Sequence, residues 1–118
     1  GLTAPNPSSQ VALLQHAHFL HAQTATNVIE AHGTGTLLGD PIEITSMSKA
    51  LRADFDQASV LQTGSLKTNI GHLECAAGAA STLKLALLLR AHVVPASLHF
   101  EVANRHIDWD TCKVGVVT

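Results

Sequence analysis

"IEAHGTGTLLGDPIE", Ile29 to Glu43, is the stretch on which the fold turns. Asn27 to Ala31 carries Val and Ile in the manner of a strand. Asp40-Pro41-Ile42-Glu43 reads as a helix start: Asp40 as cap, Pro41 in the first turn, Glu43 at the capping-box position. That helix is predicted to run to about Ala53. Between strand and helix lie His32 and the glycines Gly33, Gly35 and Gly39. A glycine loop from strand to helix serves either a phosphate or a side chain held at a strand end. Phosphate binding fits badly. The third glycine comes one residue late for a dinucleotide fingerprint, and no Walker lysine is present. A carboxylate at Asp40 would repel a pyrophosphate where the helix dipole should attract it.

Working outward, Val60 to Leu66 reads as a second strand, followed by a second glycine-histidine segment, "SLKTNIGHLECAAG". Leu73 to Ala91 is predicted to be a helix, rich in Ala and Leu almost all round and so buried on several sides. Gly78 and its alanine neighbours would let other backbones approach closely. Upstream, "GLTAPNPSSQ" is loop chemistry, with serines able to cap a helix over about Ser9 to Ala22. Leu13, Ala17 and Leu20 fall on one face of that helix. The tail, Val94 to Thr118, is predicted to give short strands around "NRHIDWD". Helix, strand, helix, strand, helix, strands: this alternation argues an α/β layer architecture.

Composition narrows the function. Hydrophobic residues make up 46% of the 118, but charged residues only 14%. About a quarter is usual for a free-standing domain, so part of this surface is expected to be covered by something else. Net charge is −2, Tyr is absent, and no basic run occurs, which argues against nucleic acid. Cys75 and Cys112 form neither a disulfide framework nor a C-x-x-C pair, so a reducing, cytoplasmic setting is expected. The longest apolar run, Cys75 to Leu89, holds Lys84 and is too short to span a bilayer. No signal peptide pattern opens the chain.

Among the eight histidines, two stand out. His16, His18 and His21 lie on the first predicted helix with no Cys or carboxylate to complete a zinc site, and read as solvated. His92, His99 and His106 sit beside loop signals. His32 and His72 each follow a predicted strand and each is embedded among glycines, which let backbone and substrate come close. Sites in α/β sheets form beyond the carboxyl ends of strands, so the two imidazoles are expected to converge on one pocket. The plainer reading of each is a structural histidine in a tight turn. Lys67 would add positive charge there, and Thr34 and Thr36 offer hydroxyls for a ligand amide. Cys75 could pair with His72 as a nucleophile, but reads better as a small buried packing residue.

The segments "GLTAPNP", "VIEAHGTGTLLGDPIE", "GSLKTNIGHLECAAGAASTLKLALLLR", "VPASLHFE" and "HIDW" resemble, in order and spacing, the second half of a ketosynthase (β-ketoacyl synthase) domain. The likeness is greatest to type I modular polyketide synthases and covers essentially the whole chain. The resemblance implies the C-terminal half-unit of a thiolase-like α/β fold. It implies decarboxylative Claisen condensation between an acyl group on a cysteine and a malonyl-type thioester on acyl carrier protein. His32 and His72 match the two histidines of that family's Cys-His-His set, and Lys67 its active-site lysine. Thr34 and Thr36 match the threonines that hold the phosphopantetheine arm.

On this reading residues 1–118 form a partial ketosynthase domain without its nucleophile half. Neither Cys75 nor Cys112 occupies the nucleophile motif, and Arg105 stands where a proline is usual. The partners implied are acyl carrier protein, the N-terminal half of the same domain, and a second copy in a homodimeric parent. No metal or directly bound cofactor is implied, and neither nucleic acid nor membrane. The fragment alone is expected to be inactive. The alternatives are a fatty-acid synthase or thiolase-type condensing domain, and a non-catalytic homologue in which the histidines survive as packing residues.

Overall fold

The computed structural model describes residues 4–21, 26–51 and 60–118. Helix α1 spans Pro7–His21, strand β1 Val28–Glu30, helix α2 Gly39–Leu51 and strand β2 Leu61–Gly64. A single turn, α3, covers Lys67–Ile70, and a 3-10 turn at Glu74–Ala76 leads into α4, Ala77–Ala91. A short α5, Trp109–Cys112, precedes β3, Val114–Val116.

The strands form a parallel sheet in the order β1-β2-β3. Val28, Ile29 and Glu30 stand beside Gln62, Thr63 and Gly64, and Leu61 beside Val114. Side chains alternate between faces along a strand, so Ile29, Leu61, Thr63 and Val114 share one face and Val28, Glu30, Gln62 and Gly64 the other. The core lies on the first face. There Ile44, Met47, Ala50 and Leu51 of α2 meet Leu61, Val114, Ile107 and Cys112, all buried. Val11 and Leu14 of α1 pack against that cluster.

Local chemistry explains the boundaries. Helix α1 starts earlier than expected because Asn6 caps it. Its Oδ1 accepts from the Ser9 N–H at 3.1 Å, with Pro7 at the first helical position, where it needs no donor. The buried edge of α1 is Val11 and Leu14, whereas Leu13 is 69% exposed; the face read from Leu13 and Ala17 is one residue off. The side chain of Leu20, and residue Ala22, lie outside the described residues, as do Arg52 and Ala53 beyond α2.

Helix α2 is not capped by Asp40. Thr36 does that work: its Oγ1 accepts from the Gly39 N–H at 3.0 Å, and its carbonyl from the Asp40 N–H at 3.3 Å. The carboxylates of Asp40 and Glu43 are thereby free to serve the glycine loop. The tail departs further from expectation. "NRHIDWD" is a loop and a helical turn, because Asp108 caps α5 by accepting from the Thr111 N–H at 3.1 Å. Trp109 Nε1 donates to the Asn104 carbonyl at 3.0 Å and closes that loop.

Helix α4 contradicts its predicted burial. None of its residues is buried; Leu83, Leu87 and Leu89 are 62%, 55% and 69% exposed. A Cβ built on Gly78 would meet nothing within 4 Å. Leu85 and Leu88 are half-buried and face Leu14, Val28 and Leu51 across a cavity, but none of the helix's leucines is fully covered within the described residues, so apolar composition alone does not bury this helix. Among the described residues no helix is long and apolar enough to cross a membrane.

Candidate active site

Strands β1 and β2 end side by side, at Glu30 and Gly64. The Ala31 N–H extends the pairing by one bond, donating to the Gly64 carbonyl at 2.8 Å. Beyond it the chain turns sharply, with Gly33 at φ +51° and Gly35 at φ +73°. Gly33 has a second constraint: an added Cβ would lie 2.7 Å from Ser65 Cβ. Only glycine combines that backbone with that approach.

The loop is held by carboxylates from α2. Glu43 accepts from the His32 N–H at 2.6 Å with one oxygen and from the Gly33 N–H at 3.0 Å with the other. Asp40 Oδ1 accepts from the Gly35 N–H at 3.1 Å. From the opposite side Ser65 Oγ donates to the His32 carbonyl at 3.4 Å. The His32 backbone is therefore fixed at both ends, while the residue stays exposed. Sequence reasoning assigned Asp40 and Glu43 to the helix start and missed this clamp. The signal was the pair of carboxylates one turn apart directly after a glycine loop whose amides need acceptors.

His72 is positioned differently. After β2, the Ser65 carbonyl accepts from Thr68 N–H at 3.2 Å and Thr68 Oγ1 at 2.9 Å, which starts α3. Lys67 is thus in a helical turn and not at a strand end. Gly71, at φ +74°, ends the turn and presents His72. His72 Nδ1 accepts from the Glu74 N–H at 2.9 Å. Glu74 adopts φ +48°, and its amide meets the ring in that conformation. A backbone amide only donates, so Nδ1 carries the lone pair, and the neutral ring bears its proton on Nε2.

The two rings meet. Their centroids are 5.3 Å apart and their planes cross at 83°, an edge-to-face pair. Both residues are exposed. Lys67 is half-buried, and among the described residues its ammonium has no ion-pair or hydrogen-bond partner. Thr34 is exposed, and among the described residues its hydroxyl makes no hydrogen bond; Thr36, also exposed, has its oxygen committed to Gly39. A cleft of about 330 Å³ opens beside the glycine loop, lined in part by Gly33, Gly35, Thr68, His99, Phe100 and Trp109.

Cys75 is exposed, contrary to the packing role expected of it. It lies on the 3-10 turn before α4, whose flank nothing in the described chain covers. His18 Nδ1 stands 3.5 Å from Thr26 Oγ1. Among the described residues no three His, Cys, Asp or Glu side chains are grouped to hold a metal.

A parallel α/β sheet whose adjacent strand ends feed two glycine-framed histidines into contact belongs to the C-terminal half-unit of a thiolase-like fold. The chain is a member of the β-ketoacyl synthase family: the model for "Beta-ketoacyl synthase, C-terminal domain" matches residues 1–101. A phenolphthiocerol/phthiocerol polyketide synthase polypeptide of Mycobacterium tuberculosis is 44% identical over 99% of this chain, which spans 6% of that protein. Erythronolide synthase EryA2 of Saccharopolyspora erythraea is also 44% identical over 99% of the chain, which spans 3% of it. Among solved structures, the oxazolomycin ketosynthase domain of Streptomyces albus JA3453 superposes with a TM-score of 0.90. It is 37% identical; the match covers 98% of this chain and 20% of that one. A ketosynthase of the bacillaene polyketide synthase of Bacillus amyloliquefaciens gives 0.86 at 35% identity, over 99% of this chain and 21% of that one.

Proposed function

We propose that this chain is the histidine-bearing C-terminal portion of a polyketide synthase ketosynthase, and that His32 and His72 together stabilise the enolate formed when a malonyl-type thioester loses carbon dioxide. The extender arrives on the phosphopantetheine arm of acyl carrier protein. Its carboxylate C–C bond breaks, carbon dioxide leaves, and the electron pair passes to the α-carbon and the thioester oxygen. Two imidazole N–H donors aimed at that oxygen offset the developing charge; one such donor lowers a barrier by about 3 kcal/mol. The enolate carbon then attacks an acyl thioester on a cysteine supplied by the N-terminal half of the domain, and that cysteine leaves as thiolate. Lys67 adds positive charge, and Thr34 and Thr36 hold the pantetheine amides. The parent would be a cytoplasmic homodimer.

The observation that carries this reading is the 5.3 Å pairing of the rings. The Glu74 amide on His72 Nδ1 supports it, because it leaves Nε2–H as the donor an oxyanion requires. The test is decarboxylation of malonyl-thioester by the full ketosynthase-bearing polypeptide. His32→Ala and His72→Ala should each slow it by about 100-fold or more. Unchanged rates in both would leave the histidines as packing residues and end the catalytic reading.

A further inference from the structure

Outside the histidine pair, the described structure buries one ion pair that the proposed chemistry does not use. Glu30 is the last residue of β1, two positions before His32. Its side chain is 3% exposed and faces away from the core, toward α4. One carboxylate oxygen accepts from the Leu66 N–H, immediately before Lys67. The other lies 2.5 Å from Lys84 Nζ, whose side chain is 17% exposed. Lys84 is on α4, the helix that the chain enters directly after His72 and its 3-10 turn. Its ammonium crosses the end of β2, where a Cβ on Gly64 would lie 3.8 Å from Nζ.

One carboxylate therefore touches all three segments that carry the site: the strand leading to His32, the turn bearing Lys67, and the helix following His72. Within the described residues no other side-chain hydrogen bond or ion pair ties α4 to the sheet. We infer that Glu30 and Lys84 are positioning residues that set the spacing and angle of the His32–His72 pair by locking α4 onto the carboxyl end of β1. This inference rests on the catalytic reading of the two histidines.

The bond types explain why an ion pair serves here. A neutral hydrogen bond tolerates sliding of a helix across a sheet. A charge pair with the acceptor's second oxygen already committed to the Leu66 amide does not, because displacement strips a buried carboxylate of its partner. Lys84→Met removes the charge and keeps the stem; Lys84→Arg keeps the charge; Glu30→Gln keeps an acceptor for Leu66 and loses the pair.

The test uses the full ketosynthase-bearing polypeptide and malonyl-thioester decarboxylation. Lys84→Met and Glu30→Gln should each lower kcat by on the order of 100-fold, the scale for a catalytic group displaced by about an ångström, with KM nearly unchanged. The double variant should be no worse than either single one, and Lys84→Arg should retain most of kcat. In the His72 ring nitrogen spectrum, Lys84→Met should disturb the Nε2–H tautomer signal and Lys84→Arg should not. If both charge-removing variants lower only thermal stability, with kcat and the His72 signal unchanged, the pair is structural and the inference is overturned. A Lys84→Arg loss equal to that of Lys84→Met overturns it as well. These outcomes separate from failure of the catalytic reading, which shows instead as unchanged rates in His32→Ala and His72→Ala.

Discussion

On one face of the sheet, α2 sets Ile44, Met47 and Leu51 against Leu61 and Val114, and every one of these is at most 6% exposed. On the other face, α4 approaches with Leu83 and Leu87 more than half exposed, and among the described residues its side-chain polar tie to the sheet is the Lys84–Glu30 pair. Helix α2 is amphipathic, with Asp40, Glu43 and Lys49 among its residues, and buries its apolar side; α4 is the more apolar helix, yet none of its residues is buried within the described structure. Apolar area drives burial only where a second apolar surface is present. The two histidine loops sit at the seam between the two faces: His32 is clamped by the finished side through Glu43, and His72 leads into the open side.

The contrast can be broken by truncating a leucine on each face. Leu61→Ala, on the finished side, should cost about 2–5 kcal/mol in chemical denaturation. Leu87→Ser, on the open side, should cost about 2 kcal/mol in the full polypeptide if the proposed N-terminal half packs on α4. A cost within about 0.5 kcal/mol would mean that the helix stays at the surface there too. Next in size is the clamp. Glu43→Gln replaces one of two acceptors by a donor, so the His32 or Gly33 amide loses its partner. Stability should fall by about 1–3 kcal/mol, and hydrogen exchange at those two amides should accelerate. Equal exchange in both proteins would show that the loop holds without the carboxylate.

The smallest effect belongs to the α5 cap, away from both faces. Hydrogen bonds from the Thr111 side chain and backbone hold Asp108 below its ordinary value of 3.8. A depressed folded value means that the carboxylate stabilises the fold at pH above the unfolded value and ceases to as pH falls through the folded one. The Tm gap between the protein and Asp108→Ala should be largest near neutrality and close below pH 3.8. A gap independent of pH would assign the cap's contribution to packing.

Much of this arrangement is legible in the residues themselves. Val-Ile before a glycine run and Asp-Pro after it mark β1, the loop and α2, since each signal is local. That His32 and His72 would meet is suggested by their two glycine contexts, but the route is not: His32 follows β1 directly, whereas His72 is reached from β2 through the α3 turn. Other features are not local. Helix α3 is a single turn, too short for any periodicity to register, and it arises from Thr68 bonding back to Ser65. Asp40 and Glu43 look like helix-capping residues because sequence cannot show that Thr36 already fills that role. Glu30 reads as the polar end of a strand; its meaning depends on Lys84, which reaches it only through the fold. The exposure of α4 and of Cys75 depends on what packs against them, which no internal pattern encodes.

The central claim is that two imidazoles serve one oxygen. The direct measurement is a crystal structure of the full ketosynthase-bearing polypeptide with a malonyl-thioester analogue whose thioester carbonyl is replaced by a stable anionic oxygen. The account predicts that oxygen within about 3 Å of a ring nitrogen of both His32 and His72. An oxygen held by backbone amides alone, with either ring turned away, would contradict it.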